Sequence, residues 1–428
     1  MPRPSQSSHR WAADPATWAG ALFLGNFLLQ RISALPGLSI SASTPLTLLV
    51  IGLGLVKGVL VIEPRRAQLF GWAVATTAVA TLLQMRFHTA LNISVPSWAF
   101  WLVIWVGIAV RFRDTSADTT RRVAAAIANV SCGISAVSLV FLGSQLAGLP
   151  YRDHLAAVVP SPYLVDGFVI TYPITYGSPI YRSNGWLALE PSFLSFMLGI
   201  AVVCALVARV SVWRTALLLA GMLSTFAGSG LAVLAIAIVI LPFTPEAAGL
   251  RRHLTVGLAL LVASAFTPIG AYVFGRFGEV SQTNSSSSLR AVEPYAVLVP
   301  RWLADPPGVL FGYGAGSARL YIDDLGQPGL VVPNVAKMLF EYGLLAGLVL
   351  VAVIVVAHTR SAYPALGISV LVSFLVIQPA SQPLVTCSLA CITWCAPALR
   401  KRAPAPLPQD WPTDEHATMP MLSAPPHR

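Results

Sequence analysis

Residues 181–210 read YRSNGWLALEPSFLSFMLGIAVVCALVARV. A polar segment carrying Arg182 runs through Gly185 and Trp186 into an apolar stretch whose one carboxylate is Glu190, and Arg209 closes it. From about residue 186 to 208 the run is long enough to cross a hydrocarbon core of about 30 Å as a helix. A carboxylate roughly one turn inside such a span is costly unless it is partnered or protonated, so Glu190 marks where chemistry or a helix-locking ion pair is expected. Pro191 follows it near the predicted helix start, where its missing N–H matters least.

The same pattern recurs along the chain. With 56% hydrophobic and only 10% charged residues, 428 residues hold too little polar surface to cover a soluble globule. The expected class is an all-α polytopic membrane protein. Apolar runs of spanning length lie near 16–33, 44–62, 67–84, 95–112, 123–148, 186–208, 212–227, 229–243, 253–274, 334–357, 362–377 and 383–399. They predict about 12 transmembrane helices. The two runs meeting around Ser224 to Ser229 are separated only by Gly228-Ser229-Gly230, so one kinked or re-entrant segment is the alternative there.

Charge sets the orientation. A cytoplasmic N-terminus puts 17 of the 27 basic residues inside, among them Arg65, Arg66, Arg111, Arg113, Arg121 and Arg122, and it leaves both termini cytoplasmic. The net charge of +10 is then mostly a topology signal and gives no support for nucleic-acid binding. The division that follows is N-terminal transmembrane helices (1–149), a first large extracytoplasmic loop (150–185), central transmembrane helices (186–274), a second large extracytoplasmic loop (275–333) and C-terminal transmembrane helices (334–402). The last piece, 403–428, is a Pro-rich cytoplasmic tail expected to be disordered. The N-terminus is polar through Asp14 and its first apolar run lacks a small-residue cleavage pattern, so that run is expected to stay as an anchor. All five cysteines fall in predicted spans; Cys387, Cys391 and Cys395 share a helix face, which small packing residues explain better than a soft-metal row. Lys57 and Lys337 fall within predicted spans, and His358 is expected on the cytoplasmic side.

The outward loops collect arginine and carboxylate. The second carries Arg276, Glu279, Arg290, Glu293, Arg301, Asp305, Arg319, Asp323 and Asp324. Guanidinium groups near a membrane surface suit a diphosphate, because each offers a fixed planar fork and stays charged. Arg290 and Arg182 are the stronger candidates, and Arg276 and Arg301 read more simply as solvated loop residues. Gly312-x-Gly314-x-Gly316 has neither a parallel-sheet unit before it nor a Lys-Ser/Thr after it, so nucleotide binding is not expected. Asp323-Asp324 is a weak metal signal, and no metal is assigned.

In order and local pattern, Arg182-x2-Gly185, Glu190-Pro191-Ser192, Ser224-Thr225-Phe226, Gly228-Ser229-Gly230, Ser288-Leu289-Arg290, Leu310-Phe311-Gly312-x-Gly314-x-Gly316, Asn334 and Phe340-Glu341-x-Gly343 resemble the O-antigen ligase and polymerase family of bacterial envelope glycosyltransferases, integral-membrane enzymes of the GT-C type. The resemblance spans roughly residues 181 to 347. Two departures stand out: the helix break lacks the family's usual arginine, and Pro333 stands where many members place a histidine before the Asn.

The resemblance implies transfer of a glycan from an undecaprenyl-diphosphate carrier to a sugar hydroxyl at the outer face of the bacterial cytoplasmic membrane, with no cofactor. Arg290 and Arg182 would neutralise the departing diphosphate, and Glu190 is the first candidate for a general base. Arg319, Asn334, Gly312 and Gly314 would contact substrate, while Tyr181 and Trp186, with Tyr176, would stack on sugar rings or belong to the interfacial aromatic belt. The Glu-Pro-Ser opening resembles exopolysaccharide polymerases more than ligases, which pass the chain to lipid A core or protein. Expected partners are the carrier-linked donor and acceptor, membrane lipids, and a chain-length regulator or flippase. A transporter or flippase is the reading from a different class; it would show matched broken helices in two halves, and no halves match here.

Overall fold

Alternation of apolar runs with proline- and glycine-bearing breaks yields a helical chain in the computed structural model, which describes residues 14–37, 39–174, 177–244, 266, 288–327, 329–379 and 381–398. In chain order the elements are α1 (Pro15–Leu29), α2 (Ser43–Val56), β1 (Leu60–Ile62), α3 (Pro64–Phe87), α4 (Val95–Trp105), β2 (Val110–Phe112) and α5 (Ala117–Leu146), then α6 (Pro191–Val207), α7 (Val212–Leu223) and α8 (Gly228–Ile240). After the undescribed stretch come α9 (Glu293–Leu303), α10 (Pro306–Phe311), α11 (Ser317–Asp324), α12 (Asn334–Thr359), α13 (Pro364–Val376) and α14 (Gln382–Ser388). Proline in the first turn opens α1, α3, α6, α10 and α13, where it removes no intrahelical hydrogen bond.

Every apolar run predicted on described residues coincides with a helix. The run at 253–274 lies outside them apart from Phe266, as do Arg276, Tyr176 and the tail at 403–428. Two helices, Ala117–Leu146 and Asn334–Thr359, are long and apolar enough to cross a membrane; eight shorter apolar helices among the described residues have 10–17 residues, and α3, with 24, is less apolar.

Four boundaries differ from the sequence reading. Helix α6 begins at Pro191 rather than near 186, because Gly185 and Trp186 both take positive φ (59° each) and turn the chain. Glu190 is therefore the extended N-cap of α6 (φ −146°, ψ 158°) and not a residue one turn inside it. Helix α2 ends at Val56 because Lys57 is its C-cap and Gly58 has φ 68°; the remaining apolar residues of that run form β1, antiparallel to β2 with Leu60 opposite Phe112. The second loop is itself helical, with α9, α10 and α11 preceded by a short turn at Ser288–Ala291. Finally, His358 belongs to α12 and is fully buried, its ring 6.2 Å from Trp105 and 5.6 Å from Phe374.

Every residue of α6 except Ser192 and Leu206 is buried, as befits a helix that is apolar all round. It packs against α5, α7, α8, α13 and α14. Its approach to α8 needs glycine on both sides: a Cβ on Gly230 would stand 2.0 Å from the Ser195 carbonyl oxygen, and one on Gly199 would stand 2.7 Å from the Gly230 Cα. In a lipid setting such backbone-to-backbone packing replaces water release as the force between helices. Large apolar side chains such as Leu49, Trp72, Leu82, Val140, Trp213 and Leu345 are exposed.

The described residues up to Pro397 belong to one compact unit, and long-range hydrogen bonds tie its connecting segments together in two places. At one end lie β1 and β2, the Phe112 N–H donating to Trp394 O, and the buried Arg66, whose guanidinium donates to Thr393 O (2.7 Å) and Pro397 O (3.1 Å). At the other end the described residues of 29–37, 88–94, 150–174, 177–190, 224–227, 288–327 and 329–332 meet. There Ile32 bridges Leu164, Ser183 N–H donates to Ser224 O, and Leu91 N–H donates to Tyr313 O.

Candidate active site

The first loop folds back on itself before it reaches α6. Arg182 N–H donates to Tyr172 O (2.8 Å), Ile174 N–H donates to Ile180 O (2.9 Å), and Pro173 bridges Tyr181. This hairpin brings Arg182 beside Tyr172: its Nε donates to Pro173 O at 3.0 Å, and its guanidinium carbon lies 5.9 Å from the centre of the Tyr172 ring. The following residue is anchored to the bundle, with Ser183 Oγ donating to Ser138 O (3.0 Å). Asn184 Oδ1 then accepts from Trp186 N–H (3.0 Å), a local side-chain turn that stabilises the bend at 185–186.

A second tie fixes the whole loop. Arg31, 2% exposed, holds Asp153 in a bidentate pair (2.9 and 2.5 Å) and donates to Trp186 O at 2.6 Å. Burial acts to raise the Asp153 carboxyl, but hydrogen bonds from Arg31 and the Ala156 N–H outweigh it and hold the group below its ordinary value.

At the N-cap of α6 the two loops meet. Arg290, on the turn Ser288–Ala291, donates to Glu190 Oε2 at 2.7 Å, and Ser192 Oγ donates to the same oxygen at 2.9 Å. Both charged side chains are about a tenth exposed (11% and 10%), so the pair is sheltered but open to an edge. Tyr172 shares this field: burial most of all, then the Glu190 charge, lifts its phenol above the ordinary value, while Arg290 and Arg182 act in the opposite direction. The floor beneath is the α7–α8 break, where Phe226 has φ 48°, Ser229 Oγ donates to Ser192 O (2.5 Å) and Ser195 Oγ donates to Ala227 O (3.0 Å).

Of the residues singled out from sequence, Arg182, Glu190 and Arg290 are thus brought into one locale, with Tyr181 and Trp186 on the segment leading to it. Gly312 and Gly314 are elsewhere, in a tightly packed strand of backbone. A Cβ on Gly312 would stand 2.5 Å from Glu341 backbone atoms, and Gly314, at φ 96°, abuts the Asn92 carbonyl. Asn334 is buried and its amide nitrogen donates to Phe374 O (3.1 Å) and Gln378 O (2.8 Å), joining the start of α12 to the end of α13. Arg319 lies on the exposed side of α11, paired with Asp323 at 3.0 Å. Lys337 pairs with the buried Glu341 (2.8 Å), just before Gly343 breaks α12 at φ 63°. Among the described residues no group of three His, Cys, Asp or Glu side chains is arranged to hold a metal ion.

Tyr172 escaped the sequence reading. Its signal was faint: an aromatic ten residues before Arg182, with Pro173 and Gly177 between them to make a return turn.

Chemically, the arrangement offers cationic and hydroxyl donors around one carboxylate at the mouth of a rigid helix. Arg290 spends its contact on Glu190 alone among the described residues, so most of its five N–H donors remain for an anionic ligand. The WcaD colanic acid polymerase family matches residues 38–328, about two thirds of the chain. The chain belongs to that family, which agrees with the likeness to exopolysaccharide polymerases drawn from residues 181–347. The match takes in the first-loop hairpin, α6 and Arg290, and it ends before Asn334 and Glu341. No curated protein matches the chain.

Proposed function

We propose that the chain is a polysaccharide polymerase of the bacterial cytoplasmic membrane that transfers a glycan from an undecaprenyl-diphosphate carrier to a sugar hydroxyl of another carrier-linked repeat. The observation that carries the reading is the Arg290–Glu190 pair, which draws together two loops 100 residues apart at the N-cap of a helix buried at all but two positions, beside Arg182 and Tyr172. Family membership and the exposed apolar flanks of the bundle support a membrane polymerase. The about 12 spans, with the loop-bearing end outward and both termini cytoplasmic, belong to the same reading.

The carrier diphosphate is already a good leaving group. Arg290 and Arg182 meet the charge that develops as the glycosidic C–O bond breaks, and Glu190, oriented by Ser192, takes the proton of the attacking sugar hydroxyl. Donor binding then exchanges one partner of Arg290 for another: the diphosphate replaces the carboxylate, and Glu190 is released to act on the acceptor. The Gly312–Gly314 backbone and Asn334 act as scaffold away from the reacting groups, and Arg319 stays exposed on α11.

The test is glycan chain length in proteoliposomes containing the purified protein and its carrier-linked repeat. Elongated carrier-linked product is expected from the wild type, with losses of about 10²-fold or more in Arg290→Ala and Arg182→Ala and a comparable loss in Glu190→Gln. A wild type that forms no new bond with any acceptor supplied would leave the transporter reading in its place.

A further inference from the structure

Beside the 181–190 segment an aromatic cleft of about 400 Å³ plays no part in the chemistry above; it is lined by Phe141, Gln145, Tyr151, Arg152, His154 and Trp186. That volume lies within the range of about 300–1,000 Å³ usual for small-molecule sites. Its rings form a continuous set: Trp186 is 5.0 Å from Phe141 and 5.5 Å from His154, and Tyr151 is 5.7 Å from Phe141 and 5.3 Å from Tyr181. Gln145, Arg152 and His154 add polar side chains to the lining.

Two details separate this cleft from a plain lipid groove. The Tyr151 hydroxyl is buried with no hydrogen-bond partner among the described residues, an unfavourable state for a strong donor that an acyl chain would leave unrelieved. Burial, ahead of the Asp153 charge, pushes that phenol up to about 12, so it remains a donor across the physiological range. The cleft is also built into the reaction centre's own scaffold. Gln145 accepts from Tyr181 N–H (2.8 Å) and donates to Tyr181 O (3.2 Å), which fixes the residue before Arg182, and Trp186 lies four residues before Glu190.

We propose that this cleft is a saccharide subsite that holds a sugar unit of the acceptor glycan, with the Trp186 and Tyr151 rings against its C–H face and the Tyr151 hydroxyl donating to one of its hydroxyls. The assignment of acceptor rests on the polymerase reading; the binding of saccharide does not. Aromatic carbon supplies contact area while the polar rim sets orientation, a division that suits a ring bearing one apolar face and a hydroxyl edge.

The probe is a free oligosaccharide obtained by partial acid hydrolysis of the host's own surface polysaccharide, titrated into the protein in lipid nanodiscs and followed by saturation-transfer NMR. Wild type is expected to bind it. Trp186→Ala should weaken binding by about tenfold or more, and the isosteric Tyr151→Phe, which keeps the packing, by about fivefold, while Arg290→Ala leaves binding within about twofold. In the chain-length assay Tyr151→Phe should raise KM for acceptor with kcat little changed. Equal binding by wild type and Tyr151→Phe would overturn the proposal, as would absence of binding by a wild type that polymerises. Phospholipid retained by wild type but lost from Trp186→Ala, with no saccharide bound, would overturn it in favour of a lipid. Saccharide binding that depends on Tyr151 in a protein that polymerises nothing would keep the subsite and remove the polymerase reading.

Discussion

Replacing Arg31 by alanine is expected to release the first loop from the bundle while leaving the helices folded. Its guanidinium is 2% exposed and carries three contacts, two to Asp153 and one to Trp186 O, so alanine strands a carboxylate and a carbonyl together. Removing one partner of a buried ion pair costs about 3–5 kcal/mol. Asp153 retains 23% side-chain exposure, and water recovers part of its solvation, which favours the lower end, about 3 kcal/mol. At about 1.4 kcal/mol per factor of ten, the loop should open roughly 10²-fold more often. Hydrogen exchange read by mass spectrometry in nanodiscs measures this directly: amides at 153–166 and 185–190 should lose about 10²-fold in protection while those of α6 keep theirs. Combining Arg31→Met with Asp153→Leu should restore most of the protection, because it removes the uncompensated charge. Protection in Arg31→Ala within about threefold of wild type would refute the reasoning, since the latch would then carry no net energy.

The same latch predicts a pH response. Because the Asp153 carboxyl is held below its unfolded value, its contribution is fully present above about pH 4 and is lost as pH falls through the depressed value; protection factors at 153–166, taken relative to intrinsic exchange at each pH, should be steady from pH 7 to about 5 and should fall only in more acidic buffer. Gly230→Ala should cost about 3 kcal/mol or more, visible as lost melting temperature in detergent, because its Cβ would stand 2.0 Å from a backbone oxygen. Gly228→Ala, whose Cβ meets nothing within 4 Å, should melt within about 1 °C of wild type. Asn334→Ala removes two buried hydrogen bonds to the end of α13 and should destabilise by about 2 kcal/mol; an unchanged melting point would show that the α12–α13 junction does not depend on them.

Hydropathy located the apolar helices of the described residues, because a helix buried in an apolar setting shows a long apolar run, but it missed α9 to α11 of the second loop, which are short and mixed in character. It placed their ends less well. Leu60 to Ile62 are as apolar as the helix before them, and only pairing with residues 110–112, far along the chain, makes them a strand. Glu190 and Arg182 were legible as charges at an apolar boundary. The Glu190–Arg290 pair itself was not, since nothing local encodes a contact across 100 residues. Gly312 and Gly314 looked like a ligand cradle because close approach to a phosphate and close approach to another backbone require the same residue; here Glu341 and Asn92 fill the space. Tyr172 became visible only when the hairpin laid it beside Arg182.

Arg66 bears on how the chain is made. Its guanidinium is buried and draws its acceptors from Thr393 and Pro397, more than 300 residues later in synthesis. Until residues 393–397 have been made, that charge has none of these carbonyls and must keep its water, so the end of the bundle holding β1 and β2 can close only after they arrive. Assembly of this protein is therefore gated by completion: a nascent chain stopped before residue 393 would display an unsatisfied arginine beside an unsealed core, the kind of surface by which quality-control proteases tell an unfinished protein from a finished one.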